Sequence, residues 1–262
     1  MDYAIEIHDL TVAFDRKPVL WNIDAHLPAG KLIGILGPNG AGKSTLIKTI
    51  MGLIPAGSGY VKIFGQPLKE VRKRVSYVPQ RETIDWDFPV SVMDVALMGR
   101  YAHTGMFGKL RRADRDIALD ALRKVGMEAF ANRQIGRLSG GQQQRTFLAR
   151  ALAQRADLYL MDEPFAGVDA ATEKAVITLL REMTTQGKTV LVVHHNLQSA
   201  RQYFDHLLLL NTRLVACGPA PEVFTPDNLR DTYGGNLTLL TDVANLMHQE
   251  QHPVRENKLQ QE

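Results

Sequence analysis

Short alternations of apolar and polar residues open the chain. Residues 4–7, 11–14 and 24–27 read as strands separated by Asp, Lys, Pro and Gly, an antiparallel β start. Residues 32–36 form a continuous apolar run, a Gly-rich turn follows, and from Ser44 to Met51 the apolar residues fall at helical spacing. That is strand, loop, helix. Further strands are predicted at residues 60–63, 75–78, 158–161, 189–193 and 206–210, the last three being near-continuous apolar runs of the kind a parallel sheet buries on both faces. Between about Trp86 and Arg150 the strand signals stop, and residues 92–98, 114–125 and 140–152 read as helices, so a helical insertion interrupts an α/β core. After Cys217 short helical stretches run to about Gln249, and the polar segment from His252 onward is expected to fray. The chain shows no internal repeat, which excludes repeat architectures.

Composition narrows the class without naming a partner. The 262 residues, 45% of them hydrophobic, suffice for a full core. Lys plus Arg number 31 against 28 Asp plus Glu, and a net charge of +3 is too weak to argue for a nucleic-acid or anionic-lipid surface. The single cysteine, Cys217, cannot form an internal disulfide, which fits a reducing cytosol. No apolar stretch approaches the roughly 20 residues a membrane span requires. The start Met1-Asp2-Tyr3-Ala4-Ile5-Glu6 lacks a basic residue ahead of an apolar run, so no signal peptide is expected. Any membrane role must come through a partner.

The chemistry concentrates in a few segments. Gly37-Pro38-Asn39-Gly40-Ala41-Gly42-Lys43-Ser44 fits the phosphate-loop pattern G-x-x-x-x-G-K-[ST] at every specified position, between a buried strand and a helix. Its glycines let backbone N–H groups turn inward around phosphates, and the helix start turns its positive end toward the same anions. Lys43 is placed to reach the β- and γ-phosphates of a nucleotide, and the Ser44 hydroxyl to take one position on Mg²⁺, an oxygen-seeking ion. Leu158-Tyr159-Leu160-Met161-Asp162-Glu163 is a buried strand ending in two carboxylates. Asp162 is then the magnesium-side acid, and Glu163 stands where a general base holds the attacking water. Leu138-Ser139-Gly140-Gly141-Gln142 is a second Gly-containing helix start, with Ser139 as N-cap and its amides exposed to a further anion.

A Leu-Ser-Gly-Gly-Gln segment after such a loop and before Asp162-Glu163 resembles the ABC ATPases over roughly residues 3–220. The resemblance implies a P-loop ATPase core with an antiparallel β subdomain and an inserted helical subdomain at about 86–150, together forming residues 1–225, followed by a short helical extension at 226–262. It implies ATP and Mg²⁺ as ligands, with Gly37 through Ser44 and Thr45 on the nucleotide, Phe14 stacked on adenine, and Gln80 linking the Mg²⁺ and water site to the insertion. His195, in His195-Asn196-Leu197 after a strand, takes the place of the switch histidine at the γ-phosphate, in preference to His194. Asn196 stands where the family usually has Asp, and Ala166-Gly167-Val168-Asp169 replaces the commoner Ser-Ala-Leu-Asp. In the family two subunits face head to tail, so Ser139, Gly140, Gly141, Gln142 and Asp169 would complete the site of a second copy.

The same resemblance narrows the role. About a hundred residues separate Lys43 from Ser139 with no heptad insertion, and a single cysteine excludes zinc modules built from cysteine clusters, which argues against DNA-repair relatives. One ATPase unit, not two in tandem, argues against translation-factor relatives. Residues 82–101 and Asp162-Glu163-Pro164-Phe165-Ala166-Gly167-Val168-Asp169 look like the ATPases of bacterial manganese, zinc and iron importers. The implied partners are an integral membrane permease, a second copy of the chain and, through the permease, an extracytoplasmic metal-binding protein, with no nucleic acid. The implied location is the cytoplasmic face of the cell membrane. Manganese is the favoured cargo, ahead of iron and zinc. The alternatives are the ATPase of a haem or iron-chelate importer and a soluble ABC ATPase outside transport. The histidines His8, His103, His206 and His248 read as scattered, surface or satisfied core residues without ligand spacing. Residues 225–249 read as a helical end-cap in preference to a regulatory or dimer-contact element.

Overall fold

The computed structural model describes residues 2–81, 86, 88–104 and 108–234. Its centre is a six-stranded sheet whose strands earn their apolar runs by being covered on both faces. β3 (Leu32–Leu36), β6 (Leu158–Asp162) and β7 (Thr189–Val193) are buried at every position. Side chains alternate across such a strand. Ile33, Ile35, Leu158, Leu160, Leu191 and Val193 therefore enter one apolar core, while Leu32, Leu36, Tyr159, Met161, Val190 and Val192 enter another. With β5 (Val75–Val78), β8 (His206–Asn211) and β9 (Arg213–Pro219) the sheet order is β5-β6-β7-β3-β8-β9. All neighbours are parallel except β8 and β9.

The first face is covered by α1 (Lys43–Ile50) and a three-stranded antiparallel sheet, ordered β2-β1-β4, of β1 (Tyr3–Phe14), β2 (Lys17–Pro28) and β4 (Ser58–Ile63). Here the expected elements need correction. Residues 4–7 and 11–14 are one strand, because Asp9 adopts φ 47° and the register with β2 slips between Ile7 and Leu10, so a bulge bends the strand without ending it. β2 begins at Lys17, far before residue 24, and turns back from Phe14 through Asp15 and Arg16, both at positive φ. A short α2 (Leu68–Val71) precedes β5.

The other face carries the helices. α3 (Val92–Met98), a single turn α4 (Tyr101–Thr104), α5 (Arg112–Lys124) and α6 (Gly140–Ala153) form the insertion. α7 (Ala170–Thr185) and α8 (Leu197–Tyr203) follow, two helices that the reading of the sequence passed over. The antiparallel partner β9 was also absent from it. α9 (Ala220–Val223) and α10 (Pro226–Tyr233) close the described chain against β8 and β9. The expected helix to Gln249 and the tail beyond it lie outside the described residues.

A part-buried ion pair knits the insertion. Arg100, just after α3, donates from Nε to Asp114 Oδ1 at 3.0 Å and from Nη1 to the Ala153 carbonyl at 2.7 Å, so its guanidinium joins α3, α5 and the end of α6. The Arg111 N–H and then Arg100 hold the Asp114 carboxyl below its usual pKa. Removing the carboxylate strands a buried cation. Asp114→Ala is expected to lower the melting temperature and to speed amide hydrogen exchange in α3, α5 and α6 while β3, β6 and β7 stay protected. A depressed carboxyl pKa gives stability that is present above the unfolded value of about 3.9 and lost as pH falls through the folded one. The melting curves of the two proteins should therefore converge at low pH.

Candidate active site

The site lies along the carboxyl edge of the parallel sheet, where open α/β sheets bind ligands. Register puts the ends of β6, β7 and β3 side by side, with Asp162 opposite Val193 and Val193 opposite Ile35. The segments that leave these strands, 162–163, 194–195 and 37–44, are thereby brought to one place, and Gln80 arrives two residues beyond β5. A cavity of about 300 Å³ there is lined by Val19, Asn39 through Thr45, Gln80, Glu163 and His195.

The loop between β3 and α1 is shaped by close approaches that only glycine allows. A Cβ on Gly37 would stand 2.0 Å from the Leu210 carbonyl oxygen. One on Gly42, at φ 94°, would stand 2.6 Å from Leu20 and 2.7 Å from the Val19 carbonyl. β2 thus clasps the loop from outside, a contact that the sequence reading missed because it ran no strand through Val19 and Leu20. Lys43 is buried and donates from Nζ to the carbonyls of Gly37 and Pro38, each at 2.8 Å, so the loop holds its ammonium at the cavity wall. Burial lowers the Lys43 pKa, and the negative charges of Glu163 and Asp162 oppose that shift.

Asp162 is fully buried. One carboxylate oxygen accepts from Ser44 Oγ at 2.9 Å, while Oδ2 is buried without a partner among the described residues. Burial raises its pKa, the Ser44 hydrogen bond opposes this, and the charge of Glu163 adds to it. Glu163 follows at φ 53°, a left-handed conformation for a bulky side chain. Its Oε1 lies 2.7 Å from His195 Nε2. His194 turns the other way, as adjacent residues at a strand end do. It is buried against Phe165 and Phe204, within 2.8 Å of Ser199 Oγ, and burial brings its pKa down to about 4.

The remaining predicted residues lie elsewhere. Phe14 is exposed at the tip of the β1–β2 hairpin and is outside the cavity lining. Ser139 caps α6 in a reciprocal box, accepting from the Gln142 N–H at 3.4 Å while its own N–H donates to Gln142 Oε1 at 3.0 Å. Gly141 faces the Gly167 carbonyl and Val168, so the start of α6 abuts the loop that leads to Asp169. Asp169 caps α7 through the Thr172 N–H at 2.9 Å, and that bond first of all lowers its pKa. None of Ser139, Gly140, Gly141, Gln142 and Asp169 lines the cavity. In the segment 82–101, residues 82–85 and 87 lie outside the described residues. Trp86 packs edge-on against Phe147, whereas Phe88 and Tyr101 are exposed.

Comparison with known proteins decides the family. The ABC transporter family profile matches residues 20–166. The manganese transport system ATP-binding protein MntB of Bacillus subtilis is 60% identical over 92% of this chain and 96% of its own length. The chain belongs to the ABC transporter family. It is an ATP-hydrolysing subunit of that family. The zinc transport system ATP-binding protein TroB of Treponema pallidum is 54% identical, covering 90% of this chain and 89% of its own. Among solved structures, an ATP-binding cassette dimer in a post-hydrolysis state with ADP and phosphate aligns with TM-score 0.73 at 26% identity, over 82% of this chain and 98% of that one. A chain of an inward-facing ABC transporter described as of the metal-chelate type aligns with TM-score 0.77 at 29% identity, over 88% and 89%.

A raised carboxyl pKa has a definite consequence for stability. As pH climbs from the unfolded value of about 3.9 through the folded one, the native chain must ionise a carboxyl that it keeps from water, and stability falls. Asp162→Asn keeps an acceptor for Ser44 and removes that charge. The nucleotide-free variant should melt higher than the parent at pH 8, with the difference vanishing at low pH, and should lose ATP turnover; a lower melting temperature at pH 8 would contradict the assignment.

Proposed function

We propose that the chain powers import of a divalent metal ion, with manganese as the cargo, by binding and hydrolysing ATP at a head-to-tail pair of its own copies. The observation that carries the ATPase chemistry is the meeting of Lys43, Ser44, Glu163, His195 and Gln80 on one cavity, with Asp162 hydrogen-bonded to Ser44 behind its wall. Manganese and zinc systems among the relatives at 46–60% identity support the cargo class, against 29% for the metal-chelate transporter chain.

The loop amides of residues 37–45 and the Lys43 ammonium hold the β- and γ-phosphates, and the exposed ring of Phe14 is the platform for adenine. Mg²⁺ fits the donors present. The Ser44 hydroxyl, the Asp162 carboxylate and the Gln80 side-chain carbonyl are all hard oxygen ligands, and Asp162 Oδ2 is a buried acceptor that no described residue satisfies. Bound there, Mg²⁺ supplies charge neutralisation for the transferring phosphoryl group. Glu163 takes the proton of the attacking water, and His195, 2.7 Å from it, positions that carboxylate beside the γ-phosphate.

Ser139, Gly140, Gly141, Gln142 and Asp169 act on the nucleotide of the second copy. Their support is placement: they form one patch, through the contact of Gly141 with residues 167–168, away from their own cavity. Closing that patch on the γ-phosphate and releasing it after hydrolysis turns chemistry into motion. Among the described residues no helix is long and apolar enough to cross a membrane, so the chain would work at the cytoplasmic face of the membrane through a permease, itself supplied by an extracytoplasmic binding protein. Exposed Phe88 and Tyr101 on the insertion suit that docking. Residues 1–225 form the ATPase unit, with 86–150 its helical insertion and 226–262 an extension whose α10 lies against the core.

Glu163→Gln should bind ATP, hydrolyse it about 10²–10⁴-fold more slowly, and accumulate as a closed dimer. Lys43→Ala should weaken nucleotide binding itself. In cells under metal limitation, elemental mass spectrometry should show manganese falling selectively when Glu163→Gln replaces the parent chain. Unchanged manganese, zinc and iron with a stably expressed variant would remove the metal-import reading, and unchanged turnover would remove Glu163 as the base.

A further inference from the structure

The outer face of the antiparallel sheet gathers a second constellation, unrelated to the nucleotide cavity. Glu6 on β1 is the direct register partner of His26 on β2, and His8, two residues beyond Glu6, shares its face. One ligand atom from each of these three side chains lies within 4.8 Å of the other two, and Glu6 Oε2 stands 3.9 Å from His8 Nε2. Along the sequence His8 is one of several scattered histidines. Only sheet register brings it to His26.

The two imidazoles are oriented but not consumed. His8 stacks on Tyr60 at 4.7 Å and 28°, His26 tilts against Tyr3 at 4.9 Å, and the two rings meet edge to face at 5.3 Å. Neither ring hydrogen-bonds to a described residue, so their nitrogens remain available. The bulge at Asp9 follows His8 directly, and the Asp9 N–H is held by Asp24 Oδ1 at 3.0 Å, the kind of irregularity that re-aims a side chain. Lys62, the neighbour of Glu6 on β4, lays its ammonium over the Tyr60 ring at 5.6 Å and forms no ion pair with the carboxylate.

We propose that Glu6, His8 and His26 form a binding site for a divalent first-row transition ion, with Zn²⁺ held more tightly than Mn²⁺. Two imidazoles and one carboxylate suit such ions and do not suit Mg²⁺ or Ca²⁺, which seek oxygen. At metal–ligand distances near 2.1 Å, tetrahedral donors sit about 3.4 Å apart, so side-chain rotation alone closes the set, leaving the outer positions to water. The ion would tie β1 to β2, the strand that clasps Gly42, and the site stands independently of the transport reading.

The test is calorimetric titration of ZnCl₂ into the full chain with Mg²⁺ in excess, which occupies the Ser44 and Asp162 oxygens. The parent should take up one more Zn²⁺ than the double variant His8→Ala/His26→Ala, and Glu6→Gln should weaken that equivalent by at least about tenfold. Histidines of the C-terminal segment, His248 and His252, are shared by all three proteins and cancel in the comparison. Matching circular dichroism and metal-free melting temperatures across the three assign the difference to the site. Equal Zn²⁺ stoichiometry and affinity in parent and double variant would overturn the proposal, as would Mg²⁺ alone displacing the extra Zn²⁺. Should the double variant fail to fold, the isosteric Glu6→Gln decides alone, an unchanged affinity counting against the site.

Discussion

Asp162 is kept from water at the end of β6 with one oxygen bonded to Ser44 and the other bonded to nothing described. Everything else at the edge of the sheet is arranged around that unsettled carboxylate. Its hydrogen bond spans a gap of one strand, since β7 lies between β6 and β3, and so it joins the phosphate loop to the segment carrying Glu163. The parallel ladder sets the distance. A slip of one residue between β6 and β7 would turn Asp162 to the other face of the sheet and separate the two halves of the site.

The two faces of the sheet divide the labour. The face under the antiparallel sheet carries α1 and the clasp of β2 on Gly42, and it shapes the nucleotide cavity. The opposite face carries the helical insertion and α7, whose caps Ser139 and Asp169 are the groups we propose to act on a second copy. These helix starts are self-sufficient in the single chain: the Ser139 and Gln142 side chains each accept the other residue's backbone N–H, and Asp169 accepts from the first turn of α7. On the proposed role, a γ-phosphate brought to this patch would meet amides already oriented, which would favour rapid closure and release.

What could be read from the sequence followed from burial. Strands covered on both faces, β3, β6 and β7, announce themselves as apolar runs, and the phosphate loop is legible in part because Gly37 and Gly42 answer close contacts that a Cβ would not tolerate. α7 left a usable signal, since Val176, Ile177, Leu180 and Met183 fall on one helical face, and it was passed over. β9 and the first half of β2 left little, because half-exposed strands with no regular alternation look like loop. The Asp15-Arg16 turn hid as well, having no glycine at its positive-φ positions. Pairings made by register are invisible in one dimension, as His8 with His26 shows. Placement also separated His194 from His195, which the sequence could do only by resemblance.

Glu163 carries a left-handed backbone directly before Pro164, a residue that itself pushes its predecessor toward extended geometry. Such a conformation costs on the order of 1–3 kcal/mol and survives only because its surroundings over-determine it. Directed evolution of this chain for heat resistance alone would therefore drift toward glycine or asparagine at that position, relaxing the turn while discarding the proposed base. The most robust descendants would be inert, and any selection for durability has to be run together with one for turnover.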